Sequence, residues 1–231
     1  MTENTTYTAN LLTGYTDKKG VVHKRVVFGK RLKGKEYFAI HSDPQSKIAT
    51  QHGDLIARAS IVKFGELSMP VPLNVLLSLD LVDREIIAEA LEQFLQNSLE
   101  DRTIEYRDNE TVRLAFGYDS NGLVYDLVTF GQMTNGYDEV EADRLGLEGA
   151  QRVCFLMGKQ ITKLSQSEGT SEFEGPISLN IFESLDALDI QALRVGAERW
   201  KQFFRRRAGE VLQGERSGEN GLPSDASERP A

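Results

Sequence analysis

Gly14-Tyr15-Thr16-Asp17-Lys18-Lys19-Gly20-Val21-Val22 returns about a hundred residues later as Gly117-Tyr118-Asp119-Ser120-Asn121-Gly122-Leu123-Val124. Phe28-Gly29 followed by Gly34 returns as Phe130-Gly131 followed by Gly136. Ile61-Val62-Lys63 is answered by Ile161-Thr162-Lys163. Leu73-Asn74-Val75 with Ser78-Leu79-Asp80 and Asp83 is answered by Leu179-Asn180-Ile181 with Ser184-Leu185-Asp186 and Asp189. Four blocks in one order, at offsets drifting only between 100 and 106, are the mark of an internal duplication. The expected fold is α+β: two tandem copies of a small domain, each a β-hairpin packed with about three helices. The expected boundaries are a disordered start over 1–6, a first domain over 7–97, a linker over 98–110, a second domain over 111–208 and a disordered tail over 209–231.

Alternating runs on either side of Asp17-Lys18-Lys19-Gly20 predict the first hairpin. Asp119-Ser120-Asn121-Gly122 predicts the second more sharply, because Asn and Gly both tolerate the positive φ of a two-residue turn. After each hairpin the pattern predicts a short helix, over 33–41 and 135–145, then a second over 53–63 and 148–164. In the last of these, Val153, Leu156, Met157, Gln160, Ile161 and Leu164 form one stripe, read as core. Residues 66–72 and 171–177 read as extended connectors, broken by Pro70, Pro72, Gly175 and Pro176. The most regular amphipathic helices close the copies, over 80–97 and 186–207. Matched core positions are Phe28 and Phe130, Val75 and Ile181, Leu79 and Leu185, Phe94 and Trp200.

Ser-Leu-Asp-x-x-Asp, at Ser78–Asp83 and Ser184–Asp189, is the most repeated polar pattern. Its spacing suits a helix start, with the first acid bonding the exposed amides of the first turn and the second reaching back to the cap. No metal site is expected from these acids. His23, His41 and His52 lack the spacing of a zinc site, and Cys154 has no second cysteine and lies in an apolar run. No nucleophile, base and orienting group recur as a set, so no catalytic residue, no cofactor and no enzymatic activity are expected. A net charge of −8 argues against nucleic-acid binding. No apolar run reaches the roughly 18 residues of a membrane span, and the polar first residues are not a signal peptide, which together predict a cytosolic protein with no membrane contact.

Charge is unevenly spread. Residues 14–38 hold eight cations against two acids, a balance of +6, whereas residues 117–140 hold four acids and no cation, a balance of −4. One copy's hairpin has reversed its sign. Lys18, Lys24, Arg25, Lys30, Arg31 and Lys33 are therefore the candidate partner-binding residues, for an acidic partner or for self-association.

A hairpin, a short helix after a glycine-marked turn, a Leu-Asp-x-x-Asp helix start and an amphipathic helix ending in an aromatic resemble the tail assembly chaperone family of Mu-like tailed bacteriophages. The residues that carry the resemblance are Leu79-Asp80 with Asp83 and Leu185-Asp186 with Asp189. Members of that family are of about 100 residues, so residues 7–205 resemble a fused pair. The resemblance implies a non-enzymatic interaction protein of the host cytoplasm that keeps the tape measure protein soluble during tail assembly. The alternative is a structural virion component of the tail or baseplate.

Overall fold

The computed structural model of the protein describes residues 5–99 and 102–218. The fold is α+β, as expected. In the first half, strands β1 (Tyr7–Thr16) and β2 (Val22–Phe28) form the hairpin, followed by helix α1 (Gly34–Ser42), a 3-10 turn over Pro44–Lys47, helix α2 (Ala49–Ser60), strand β3 (Ile61–Phe64) and helices α3 (Leu73–Leu77) and α4 (Leu81–Leu99). In the second half, an edge strand β4 (Glu105–Tyr106) precedes the hairpin β5 (Thr111–Ser120) and β6 (Leu123–Phe130). Helix α5 (Gly136–Arg144), helix α6 (Gly149–Gln160), strand β7 (Ile161–Ser165), strand β8 (Glu172–Glu174), helix α7 (Leu179–Ser184) and helix α8 (Ala187–Gly218) follow. Among the described residues there are two separate antiparallel sheets, ordered β1-β2-β3 and β4-β5-β6-β7-β8.

Both hairpin turns form where the sequence places them. Asn121 and Gly122 take φ of 56° and 82°, the geometry that a two-residue turn demands. Asp17 closes the first turn differently, its Oδ1 accepting from the amides of Lys19 and Val21.

Several elements differ from expectation. The second helix of each half ends at Ser60 and at Gln160, and the chain passes with no intervening residue into a strand that pairs with the hairpin. The apolar run continues through this change, so periodicity alone extends the helix; the β-branched pairs Ile61-Val62 and Ile161-Thr162 carry the strand preference. The stretches 73–77 and 179–184 are short helices, so among the described residues each half has four helices rather than three. The expected linker 98–110 is partly structured, since α4 runs to Leu99 and Glu105–Tyr106 pairs with Val112 and Arg113 on the edge of the second sheet. The last helix continues to Gly218, past the expected start of the tail at 209. A glycine inside a helix costs only about 1 kcal/mol, so Gly209 does not stop it. Residues 1–4 and 219–231, from the expected disordered ends, lie outside the described residues.

Each hairpin carries a wide bulge at the same place. Asn10 pairs with Arg25 and Tyr15 with His23, so residues 11–14 of β1 oppose Lys24 alone. Arg113 pairs with Leu127 and Tyr118 with Tyr125, so residues 114–117 of β5 oppose Asp126 alone. Gly14 (φ +79°) and Gly117 (φ +67°) turn these bulges, and a Cβ there would stand 2.5 Å from the His23 carbonyl oxygen and 2.6 Å from that of Tyr125. Only glycine fits.

Bulging turns three amides out of each ladder, and a buried carboxylate collects them. Asp83, with no exposed surface, accepts from the amides of Leu12 (2.6 Å), Thr13 (3.2 Å) and Gly14 (2.7 Å). Asp189, equally buried, accepts from Ala115 (2.8 Å), Phe116 (3.1 Å) and Gly117 (2.8 Å). The first acid of each pattern is the helix cap that the spacing predicts: Asp80 accepts from the Asp83 amide at 2.8 Å and Asp186 from that of Leu188 at 3.1 Å. The second acid does not reach back to the cap. It fastens the hairpin to the closing helix.

The two halves share a junction that the sequence does not announce. Tyr37 and Phe38 of α1 are buried not in the first core but in the second, among Cys154, Phe182, Ile190 and Leu193. The first core gathers Val26, Phe28, Phe64, Val75, Leu79 and Phe94 around β1–β3, α3 and α4. Three of the four matched core pairs are buried at both positions; in the fourth, Val75 is buried and Ile181 only partly so.

Candidate partner-binding surface

The six candidate cations fall into two groups. Lys18 lies in the hairpin turn, and Lys24 and Arg25 lie on β2, all three exposed. Lys24 Nζ reaches across the bulge to donate to the Leu12 carbonyl at 2.5 Å. Leu12, Val21 and Val22 stand beside them, 66%, 46% and 50% exposed. The hairpin tip thus mixes apolar side chains with cations, which suits the face of an amphipathic acidic segment.

Arg31 and Lys33 belong instead to the junction between the halves, and Lys30 bonds within the first half. Burial raises the Glu36 carboxyl, but the Lys30 side chain that pairs with it and the Lys33 amide that bonds it together hold it below its usual range. Arg31 lies 3.7 Å from the Phe116 ring centre and 3.4 Å from Asp186. That pair is close without hydrogen-bond geometry, since Arg31 Nη1 and Asp186 Oδ2 are both buried without a bonding partner. Burial pushes the Asp186 carboxyl upward, partly offset by the Leu188 amide and by Arg31 and Lys33. The backbone of Lys33 forms an isolated antiparallel β-bridge with that of Asp186.

The acids of the second hairpin are structurally engaged. Asp119 accepts from the Gly122 amide at the turn. Asp126 pairs with Arg113 and accepts from the Ser167 amide and hydroxyl, and Asp138 bonds back to the Asn135 amide ahead of α5.

A second surface went unread in the sequence. Between α6 and α8 runs a groove of about 710 Å³ whose walls include Val153, Leu156, Met157, Gln191, Val195 and Gln202. Val153 and Val195 are 45% and 46% exposed, so part of the stripe read as core faces outward. Gln160, 2% exposed, also lines this groove, and its Oε1 has no hydrogen-bond partner among the described residues. A single amphipathic stripe cannot distinguish a helix covered on its whole apolar face from one whose neighbour leaves a groove. The glutamine inside that stripe was the available signal.

The remaining polar residues have local tasks. His23 Nδ1 accepts from the Glu66 amide at 3.1 Å, which leaves Nε2–H to face Asp17 at 3.4 Å. Burial, then His52 and Arg194, lowers the His41 pKa, and its ring lies 4.7 Å from that of His52. The buried Cys154 thiol is pushed up to about 12 by burial, so it stays protonated at neutral pH. Among the described residues, no three His, Cys, Asp or Glu side chains converge as metal ligands. No helix among them is long and apolar enough to cross a membrane. No family model, curated protein or solved structure matches the chain.

Proposed function

We propose that this chain is a non-enzymatic interaction protein of bacteriophage tail assembly, a chaperone that holds the tape measure protein soluble in the host cytoplasm. The observation that carries the reading is the pair of open apolar surfaces with polar fittings: the cationic hairpin tip and the groove between α6 and α8. A long amphipathic helix is the ligand class that lays an apolar stripe into such a groove while its charged flank meets cations.

The placement of the cations sharpens the test. Arg31 is left unchanged because it serves the junction and Lys30 because it pairs with Glu36 of α1, and Lys18, Lys24 and Arg25 are reversed to Glu. Circular dichroism should match the wild type. Capture of co-expressed tape measure protein should fall several-fold at low salt and lose most of its dependence on ionic strength. Undiminished capture by the folded variant removes the hairpin from recognition. Val153→Glu tests the groove in the same assay. The alternative, a structural component of the tail or baseplate, draws support from the uncovered apolar residues Tyr137, Val140 and Leu145 around α5. Mass spectrometry of purified particles separates the two readings, because a chaperone leaves before the particle is complete.

A further inference from the structure

Inside one chain, α1 of the first half docks on the second half by a defined set of contacts. The Gly34 amide donates to the Leu185 carbonyl at 2.8 Å and the Ala187 amide to the Leu32 carbonyl at 2.9 Å. Gly34 lies so close to Phe182 that any Cβ would collide with the Phe182 carbonyl oxygen. Tyr37 and Phe38, at 4% and 2% exposure, anchor the contact.

Both partners of this junction have sequence-matched counterparts elsewhere in the chain: that of α1 is uncovered, and that of the receiving side is uncovered at Asp80, Leu81 and Val82, while Leu76, Leu79 and Ile87 lie in the first core. Helix α5 matches α1: each has nine residues, each starts at a glycine, and each places an acid, Glu36 or Asp138, that bonds back to the amide ahead of the helix. Yet Gly136, which matches Gly34, has nothing within 4 Å of where a Cβ would lie. Val140, which matches Phe38, is 46% exposed, and Tyr137 on the same helix is 87% exposed. On the receiving side, Asp186 is 1% exposed and Ala187 and Leu188 are partly covered. Their matches Asp80, Leu81 and Val82 are open, with Leu81 at 74% and Val82 at 53%.

We infer that a second copy of this chain docks its α5 against α3 and the start of α4, reproducing between molecules the junction found within one. The inference does not depend on the tape measure reading. The internal junction is one-way: α1 sits on the second half, and α5 does not sit on the first. A one-way contact is heterologous, so each molecule that joins presents a fresh open face, and the series closes as a ring or grows as a filament. Val140 is a smaller anchor than Phe38 and Glu139 a more polar one than Tyr37, so the contact is weaker than its internal template and builds up with concentration. It is largely apolar, so it survives added salt.

Sedimentation velocity on the full chain should show the weight-average mass rising with protein concentration past that of a dimer, with little change in added salt. Gly136→Leu places a side chain in open space in the free molecule, so the fold is kept, while it blocks the seat against the next copy. Leu81→Glu spoils the receiving face. Each variant alone should remain monomeric. An equimolar mixture should form a one-to-one pair and stop there, because only one intact face of each kind survives. A wild type that stays monomeric at every concentration overturns the inference, and so does Gly136→Leu associating like the wild type. If Leu81→Glu alone dimerises, the contact is two-fold and the inference is equally overturned.

Discussion

Asp189→Ala is expected to cost the protein roughly 3 kcal/mol or more of stability, because it strips the acceptor from three amides at once. Each buried donor left without a partner costs about 1–3 kcal/mol. The amides of Ala115, Phe116 and Gly117 have been turned out of the strand ladder by the bulge and have Asp189 to receive them. Asp83→Ala should act comparably through Leu12, Thr13 and Gly14. Denaturant titration of each variant checks this, and a loss below about 1 kcal/mol would mean that the bulges hold their shape without the carboxylates.

The same residue gives a pH signature. Burial pushes the Asp189 carboxyl up to about 6, against the pull of its three amides and with a further push from Asp186. In the unfolded chain the carboxyl titrates near 3.9. The folded state therefore binds the proton more tightly. This contribution to stability is fully present below about pH 4 and is lost as pH rises through about 6. Between pH 7 and pH 5 the wild type should gain about 1 kcal/mol relative to Asp189→Ala. His41, lowered by burial, has the opposite effect, since its unfolded form takes up the proton first. That effect is common to both proteins and cancels in the comparison. A difference that is flat across this range would place the carboxyl well below 6.

Phe38→Ala should destabilise the half of the molecule to which Phe38 does not belong in sequence. Emptying a buried phenylalanine site costs about 3–5 kcal/mol. Phe38 is 2% exposed within the core built around Phe130, Phe182 and Leu193. Trp200, the single tryptophan, lies in that core and donates from Nε1 to the Gln132 carbonyl at 3.2 Å. Its fluorescence therefore reports unfolding of the second half. The midpoint should move to markedly lower denaturant in the variant, and an unmoved midpoint would mean that α1 rests on the second half without stabilising it.

The recurrent blocks were informative for a reason that the sequence could not state. Gly14 and Gly117 recur because the bulge needs a left-handed backbone at that position, and Asp83 and Asp189 recur because the bulge's amides need an acceptor. Both halves of the bargain are legible as letters, but a helix start and a hairpin some seventy residues apart give no sign that they are partners. The spacing Asp-x-x-Asp looks like a capping box since both arrangements put an acid at the third helical position. Only the direction in which the second carboxylate points separates them. The basic stretch was legible as charge and illegible as surface, because Lys18, Lys24 and Arg25 face water while Arg31 stacks on Phe116 of the other half.

The features legible from the residues alone lie between near neighbours in the chain: the α+β class, both hairpins and their turns, the start of each closing helix, and most of the matched core positions. These follow from backbone preference, side-chain period and the φ that particular residues tolerate, all of which act within a few residues. The tertiary structure alone decided where α1 goes, which carboxylate serves a cap and which a bulge, and that one face of α6 stays open. Those outcomes depend on which of several similar apolar faces meets which. Tyr37 and Phe38 would satisfy the same hydrophobic pattern in either half, and they settle in the second because Gly34 lets the backbone approach Phe182 closely enough for two amide bonds to close the junction.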